Sequence, residues 1–383
     1  MFFLLMAAMA FPAAAAKRET VAQLEQSLSA QTSAHKSDAD IARQIRDVEL
    51  TERLSDASLA RLGGGLAKDS QAAVELKLLA EKSAFADLPA NELPATAAPD
   101  DATQRRMLSA ARTYVGQTLP RLPNFLATRT INRYDDSPQI VKKGGWPVRA
   151  GLHQVDTSSR EVSVRDEREN QPPTQGSAVW KEQIGLISGG EFGSTLGMIL
   201  SDTAQGKITW SHWEEMPVGT AAVFNFSVPK AASHFEILGT LQREASLAGA
   251  ATTGGGGRGV ASIGVRPNMS TSNTSTIRTK PGYHGSLWID SASGTILRIT
   301  MAADQRDSVT FKVAEILVQY GPVAIAESTY ICPVRSLAIS VAANERHGGD
   351  ENAPTQWLNE TLFTGYHRFA STTQIVPEPE TPK

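Results

Sequence analysis

The stretch Gly282-Tyr283-His284-Gly285-Ser286-Leu287-Trp288-Ile289-Asp290-Ser291-Ala292-Ser293-Gly294-Thr295-Ile296-Leu297-Arg298-Ile299-Thr300-Met301 decides the fold. Two runs rich in β-branched, aromatic and aliphatic residues flank Asp290-Ser291-Ala292-Ser293-Gly294. Asp and Ser close turns by bonding to nearby backbone, and Gly supplies the positive φ needed to enter a return strand. The stretch therefore predicts a β-hairpin within a large antiparallel sheet. Gly285 marks a bulge or a close backbone approach. His284 is read as a structural histidine bonded to a neighbouring loop. Leu287 and Trp288 fall on opposite faces, and the company of Ile289, Leu297 and Ile299 makes Leu287 the inward residue.

Working outward, the hydrophobic period is close to 2 from Pro123 onward. Strands are expected over 125–134, 162–168, 207–213, 221–228, 233–238, 285–290, 295–302, 309–319, 324–332 and 360–372. Short turns separate several of them, as in an antiparallel meander. A helix over 193–201, with Leu196, Ile199 and Leu200 and an N-cap at Ser194, is expected across one face. The segment 245–280 is dominated by Gly, Ser, Thr and Ala and reads as a mobile insertion. No Gly-Lys-Ser/Thr follows Gly254–Gly257, so a phosphate-binding loop is not indicated.

Upstream the period is helical. Ile41, Ile45, Val48, Leu50, Leu54, Leu59 and Leu62 recur at three-to-four spacing, and Gly63-Gly64-Gly65 is expected to end that helix in a left-handed cap. A second helix is expected over 70–84. A Pro-containing linker follows over 87–101, then a third helix from Ala102 carrying Met107, Leu108, Ala111, Tyr114 and Val115. The predicted class is α+β: a helical N-terminal region, then a large curved antiparallel sheet (half-barrel) with one or two covering helices. The expected organisation is a signal peptide at 1–16, a helical region at 17–120, a β domain at 121–376 and a C-terminal tail at 377–383.

The apolar run Phe2–Phe11, Pro12 and Ala13–Ala16 form the h-region and A-x-A pattern of a secretory signal. The expected location is periplasmic or secreted. The run is shorter than the roughly 20 residues that span a bilayer, so no transmembrane segment is expected after cleavage. The 383 residues carry 37 basic and 40 acidic side chains, a net charge of −3. With no basic stripe, nucleic acid is not an expected partner. The one cysteine, Cys332, makes no internal disulfide and reads as a small buried hydrophobe.

Chemistry-bearing patterns are sparse. In Trp210-Ser211-His212-Trp213-Glu214-Glu215 a regular strand puts Trp210, His212 and Glu214 on one face and Ser211, Trp213 and Glu215 on the other. A His and a carboxylate two residues apart then lie side by side, as an acid/base pair requires; a solvated polar face gives the same pattern. Gly193-Ser194-Thr195-Leu196-Gly197 does not match the nucleophile-elbow spacing. His35, His153, His212, His234, His284, His347 and His367 are too dispersed for a local metal motif. No catalytic residue, metal or cofactor is expected, and the chain is read as a non-enzyme. The remaining signal is apolar alternation. Phe224, Phe226 and Val228 share one face, as do Leu287 with Ile289, and Leu297 with Ile299 and Met301. In a flat sandwich they are core. In a half-barrel Phe224, Phe226, Leu287, Ile289, Leu297, Ile299 and Met301 line a cavity for an acyl chain.

Several stretches are similar to a set of secreted acidobacterial proteins of unknown function. They are Leu50-Thr51-Glu52-Arg53-Leu54, Leu122-Pro123-Asn124-Phe125-Leu126-Ala127-Thr128-Arg129-Thr130, Trp210-Ser211-His212-Trp213-Glu214, Pro281-Gly282-Tyr283-His284-Gly285 and Tyr320-Gly321-Pro322-Val323. More distantly, the Asp-x-x-x-Gly turn with its Ile-Leu-Arg-Ile return resembles the periplasmic lipoprotein-carrier (LolA/RseB-like) half-barrel, over residues 123–376. That resemblance implies a sheet curved around an apolar cavity under helices, holding a lipid or lipoprotein. The N-terminal helices and the insertion depart from it. The leading expectation is an exported, non-enzymatic protein that binds a lipid or acylated partner. The alternatives are an interaction or envelope-sensing module that docks an envelope protein through its N-terminal helices, and a hydrolase.

Overall fold

The structure is a computed structural model that describes residues 17–136, 138–139, 148–149, 151–165, 168–170, 186, 188–243, 273–304, 311–342 and 355–368. The chain forms two compact units, Met1–Thr96 and Ala97–Lys383. The expected signal peptide lies outside the described residues.

In the first unit, β1 (Lys17–Glu19), α1 (Val21–Ser33), α2 (Asp38–Arg46), β2 (Val48–Leu50), α3 (Asp56–Gly63) and α4 (Gln71–Lys82) follow in order. Thr20, Ser37, Ser55 and Ser70 each cap a helix by accepting a backbone N–H, a contact worth about 1 kcal/mol. Asp38 accepts from the N–H groups of Gln71 and Ala72 at the start of α4, which hold its carboxyl below the usual range. Leu24, Ile41, Ile45, Val48, Leu54, Leu76 and Leu79 form the core. The single helix expected through Ile41–Leu62 is instead two helices with a strand between them. Val48–Leu50 pairs in parallel with Lys17–Glu19, and two residues of an extended strand can bury alternate side chains that a helix buries at three-to-four spacing. The cap at Gly64 is right-handed, φ −61°, so the glycine run does not end α3 in the expected left-handed way.

The second unit begins with α5 (Asp101–Thr118), then β3 (Phe125–Asp135), β4 (Pro138–Gln139), β5 (Val148–Arg149), β6 (His153–Arg165) and β7 (Arg168–Asn170). Next come α6 (Ser194–Asp202), β8 (Lys207–Met216), β9 (Gly219–Val228), β10 (Ile237–Arg243), β11 (Asn273–Thr279), β12 (Tyr283–Asp290), β13 (Ile296–Ala303), β14 (Phe311–Ile325), β15 (Ser328–Ala342) and β16 (Thr355–Arg368). Among the described residues ten strands form one sheet in the order β7-β6-β3-β16-β15-β14-β13-β12-β9-β8, and every pairing in it is antiparallel. The two edge strands are β7 and β8, so the sheet is open and not closed into a barrel. β4 pairs with β5, and β10 with β11, outside it.

Helices α5 and α6 cover one face, termed the inner face. Met107, Ala111 and Val115 of α5 and Leu196 and Ile199 of α6 share a core with Phe224, Phe226, Tyr283, Leu287, Ile289, Ile299, Ile316, Val318 and Tyr320. By packing, α5 therefore belongs to the sheet, and the boundary falls at Thr96 and not at residue 120. An apolar stripe does not say what it packs against, which is why the period alone groups α5 with the helices before it. Leu287 faces this core, as expected, while Trp288 faces outward. The hairpin turn closes as read: Asp290 Oδ1 accepts the Ser293 N–H at 2.7 Å, and Gly294 has φ +75°.

Other expectations shift. The run 233–236 is not strand, and the ladder starts at Ile237. Within the expected mobile insertion, Asn273–Thr279 pairs with β10, because its alternating threonines favour extended backbone; residues 245–272 lie outside the described set. Residues 333–342 continue β15 past Pro333. The proline is tolerated because it sits beside a register shift opposite Tyr320. Gly193, not Ser194, is the N-cap of α6, and the Ser194 hydroxyl donates to the Gly190 carbonyl. Gly285 is a close-approach site: a Cβ there would collide with the Thr300 carbonyl and lie 3.0 Å from Phe226 Cζ.

Gly294 carries two constraints at once, since a Cβ there would also lie 2.5 Å from the Ala110 carbonyl carbon of α5. Gly294→Val should cost more than about 2 kcal/mol, combining strain at positive φ with a clash against α5. Leu287→Ala should cost about 2–5 kcal/mol. Trp288, only 5% exposed, should cost about 3–5 kcal/mol when truncated to Ala, although the sequence alone predicts a smaller cost for the outward residue. Urea unfolding of the three variants measures all of this, and a near-neutral Gly294→Val would refute the packing of α5 on the turn.

Candidate functional site

Three arrangements bring chemistry-bearing or apolar side chains together. The first is the apolar inner face. Phe224, Phe226, Leu287, Ile289, Ile299 and Met301 all lie in the core beneath α5 and α6, each at most 3% exposed. Leu297 does not join them. It packs outward with Trp288, Ala221 and Val223, and Ile296 takes its inward place. The cause is a bulge: Trp288 pairs with Arg298 but Ile289 pairs with Ile296, so Leu297 has no partner and the alternation slips by one residue. Edge-to-face aromatic contacts fix this surface, with Trp210 against Phe224 at 5.4 Å and Phe226 against Tyr283 at 5.8 Å.

The second arrangement is polar and holds the cover down at two places. At the end of α6 the buried Asp202 accepts the Tyr283 hydroxyl at 2.9 Å and the His234 N–H at 2.8 Å, and bonds His234 Nδ1 at 2.6 Å. Burial, then Asp202, pushes the Tyr283 hydroxyl far above its usual range, so it remains a donor. Farther along the face, Leu186 and residues 188–193 cross β14, β15, β16 and β3. Leu186 donates its N–H to Ser340 Oγ at 3.0 Å, and Asn359 Nδ2 donates to the Leu186 carbonyl at 2.8 Å. Ser188 bonds Ser336 at 2.7 Å, and Tyr320 donates to the Glu191 carbonyl at 3.1 Å. The buried Arg129 donates to the Ser188 carbonyl at 2.6 Å and pairs with Glu169 at 3.3 Å and Glu191 at 3.5 Å. Phe192 inserts among Phe125, Phe363 and Tyr366.

The third arrangement lies on the outer face and corrects the expected facing of β8. Trp210 pairs with Phe224 and His212 with Val223, which leaves Ser211 as a bulged residue. Trp210 and Trp213 accordingly share the inner side, with ring centroids 4.9 Å apart, while Ser211, His212 and Glu214 come together on the outer side. Ser211 Oγ is 2.9 Å from His212 Nδ1, and His212 Nε2 is 3.5 Å from Glu214 Oε2. Trp288 Nε1 donates to the same carboxylate oxygen at 2.7 Å, and the Arg298 guanidinium lies 4.7 Å from the Trp288 ring centroid. Asn225 Nδ2 is 3.4 Å from Ser211 Oγ, and Ser286 donates to Asn225 Oδ1 at 2.8 Å. The His–carboxylate neighbourhood is visible in the spacing, whereas the serine is not, because nothing in Trp210-Ser211-His212 announces a bulge.

His284 bonds the loop residue Asp304 at 2.9 Å, in keeping with a structural role. Cys332 is buried, and burial pushes its thiol up to about 12. Among the described residues no group of three or more His, Cys, Asp or Glu side chains is placed to hold a metal. No helix among them is long and apolar enough to cross a membrane. Comparison with protein-family models, curated proteins and solved structures finds no match.

Glu315 on β14 gives a pH-dependent test of outer-face burial. Burial raises its carboxyl above the ordinary glutamate range, with His284 opposing the shift. A folded acid with a raised pKa binds its proton more tightly than the unfolded chain does. The penalty is therefore absent below the unfolded value and complete above the folded one. Glu315→Gln should raise Tm at pH 7, and the gain should vanish as pH falls below the usual glutamate range. Thermal scans from pH 3 to 8 check this, and a gain independent of pH would contradict the burial.

Proposed function

We propose that the chain is an exported binding protein that holds an apolar chain, from a lipid or an acylated protein partner, against the inner face of its sheet. The observation that carries this reading is the continuous apolar surface of Phe224, Phe226, Leu287, Ile289, Ile299 and Met301, whose cover is α5 and α6 on an open sheet. A helix on an open sheet can shift outward and be replaced by a ligand without breaking a strand pairing. Each buried methylene of an incoming chain contributes roughly 0.8 kcal/mol, so about ten methylenes supply on the order of 8 kcal/mol toward displacing the cover. Export rests on the apolar Phe2–Phe11 run and the alanines that follow it. Docking through the N-terminal helices has less behind it. Among the described residues of the first unit the exposed large apolar side chain is Val74, and a single exposed valine does not make a docking patch.

Native mass spectrometry of the purified chain before and after organic extraction tests the proposal. A bound lipid or fatty acid that leaves on extraction is the expected result. Met301→Trp, which fills the inner face, should then lower its occupancy by about tenfold or more. A chain that carries no lipid and takes up none from mixed phospholipid and fatty-acid vesicles would overturn the reading.

A further inference from the structure

We propose that Ser211, His212 and Glu214 form an acyl-transfer site on the outer face, in which Ser211 is acylated by carboxylic esters of small acyl groups. The argument begins with the bulge in β8. A regular strand would send Ser211 to the inner side, away from His212. The extra residue instead places Ser211, His212 and Glu214 on one side, in the contiguous order nucleophile, base, carboxylate. A nucleophile within reach of a base, with the base oriented by a third group, is the arrangement that activates a hydroxyl.

The proton inventory fixes the direction of the chain. An ionised carboxylate only accepts. Glu214 is 5% exposed and its Oε2 already accepts from Trp288 Nε1, which pins it facing His212. Nε2 of His212 therefore carries the proton, and Nδ1 is left as the acceptor for the Ser211 hydroxyl 2.9 Å away. Arg298 stacked on Trp288 supports the indole that supports the carboxylate. Glu214 and Trp288 are thus positioning residues, and Ser211 and His212 are the catalytic ones.

The surroundings set the substrate class. Ser211 is half-buried beside exposed Asn225 and Thr209 and half-buried Ser286, a polar surface suited to a small acyl group. The amide of Asn225, 3.4 Å from Ser211 Oγ, is the donor available to a developing oxyanion. One side-chain donor suits an ester, whose alkoxide or phenoxide leaves readily, better than an amide, which depends on stronger oxyanion stabilisation and full protonation of its nitrogen. In acylation the Ser211 proton passes to His212 Nδ1 as Oγ bonds to the carbonyl carbon. The tetrahedral adduct collapses, the ester C–O bond breaks, and the leaving oxygen takes the proton from His212. Water then attacks the acyl-serine with His212 accepting its proton. As the second tetrahedral adduct collapses, the acyl C–Oγ bond breaks, His212 returns the proton to Ser211 Oγ, and the carboxylic acid departs.

This site is on the opposite face from the apolar surface, and neither proposal depends on the other. The test uses the full chain, a fluorophosphonate probe with peptide mapping, and hydrolysis of p-nitrophenyl acetate. A single adduct on Ser211 is expected. Ser211→Ala should abolish it, and His212→Asn should slow labelling by about 100-fold, the usual range for loss of a general base. Glu214→Gln should lower kcat with KM unchanged, a split that a merely structural loss would not produce. Ser227→Ala, an exposed serine on β9, serves as the control and should leave labelling in place. A wild-type chain that is folded by circular dichroism yet forms no adduct on Ser211, or one that labels equally fast in His212→Asn, would overturn the assignment.

Discussion

Small polar side chains run down the inner face of an otherwise apolar sheet: Ser336, Ser340 and Asn359, with Arg129 beyond them. Buried without partners, each would carry a desolvation cost of about 1–3 kcal/mol, and the guanidinium more. They are buried and bonded because the segment of Leu186 and residues 188–193 crosses them and offers backbone groups, hydroxyls and the Glu191 carboxylate in return. The crossing segment, lying outside helices and strands, has backbone groups of its own that need partners under burial. Sheet and segment thus depend on each other, and the polar column selects where the chain can cross. Either side of it, helices and aromatic rings cover apolar surface, as in any layered domain.

The helices are held by different means. Against the hairpin turn, α5 packs so closely that only a glycine fits at 294. At the C-terminal end of α6, the buried Asp202 collects three hydrogen bonds, from Tyr283 and His234. The first restraint is steric and tolerates no side chain. The second is electrostatic and involves a histidine whose ring is largely exposed. If the inner face admits a ligand, these two restraints determine which helix moves.

The strands and most helices were legible because alternation and capping are local. Asp290, Ser293 and Gly294 announced their hairpin, and Ser70 its helix. The places where single residues interrupt the period were not legible. Leu297 sits in an alternating run with Ile299 and Met301, yet faces away from both. Ser211 reads as the opposite face from His212 and lies beside it. Such slips depend on the partner strand, which a local pattern does not contain. The polar column left a trace in Ser336-Leu337-Ala338-Ile339-Ser340, where small hydroxyls recur on one side of a strand whose other side is Leu and Ile. That trace indicates a crossing backbone, but Pro333 obscured the strand that carries it. Arg129, Glu191 and Asp202 left no comparable signal, since their partners are distant in the chain.

Register shifts occur where β8 meets β9, β12 meets β13, β16 meets β3 and β3 meets β6, and at two places between β14 and β15. A shift that leaves one residue unpaired reverses the facing of the residues beyond it, so it has the geometry of a one-residue insertion absorbed by the sheet. For the ancestry of the chain this has a direct consequence. Related sequences whose strands gained or lost such a residue would keep the same sheet while their inward and outward positions fall out of phase. Kinship would then be found by matching strands face by face, with single-residue gaps allowed opposite Ser211, Leu297 and Val334, and would be lost in a comparison that runs straight through them.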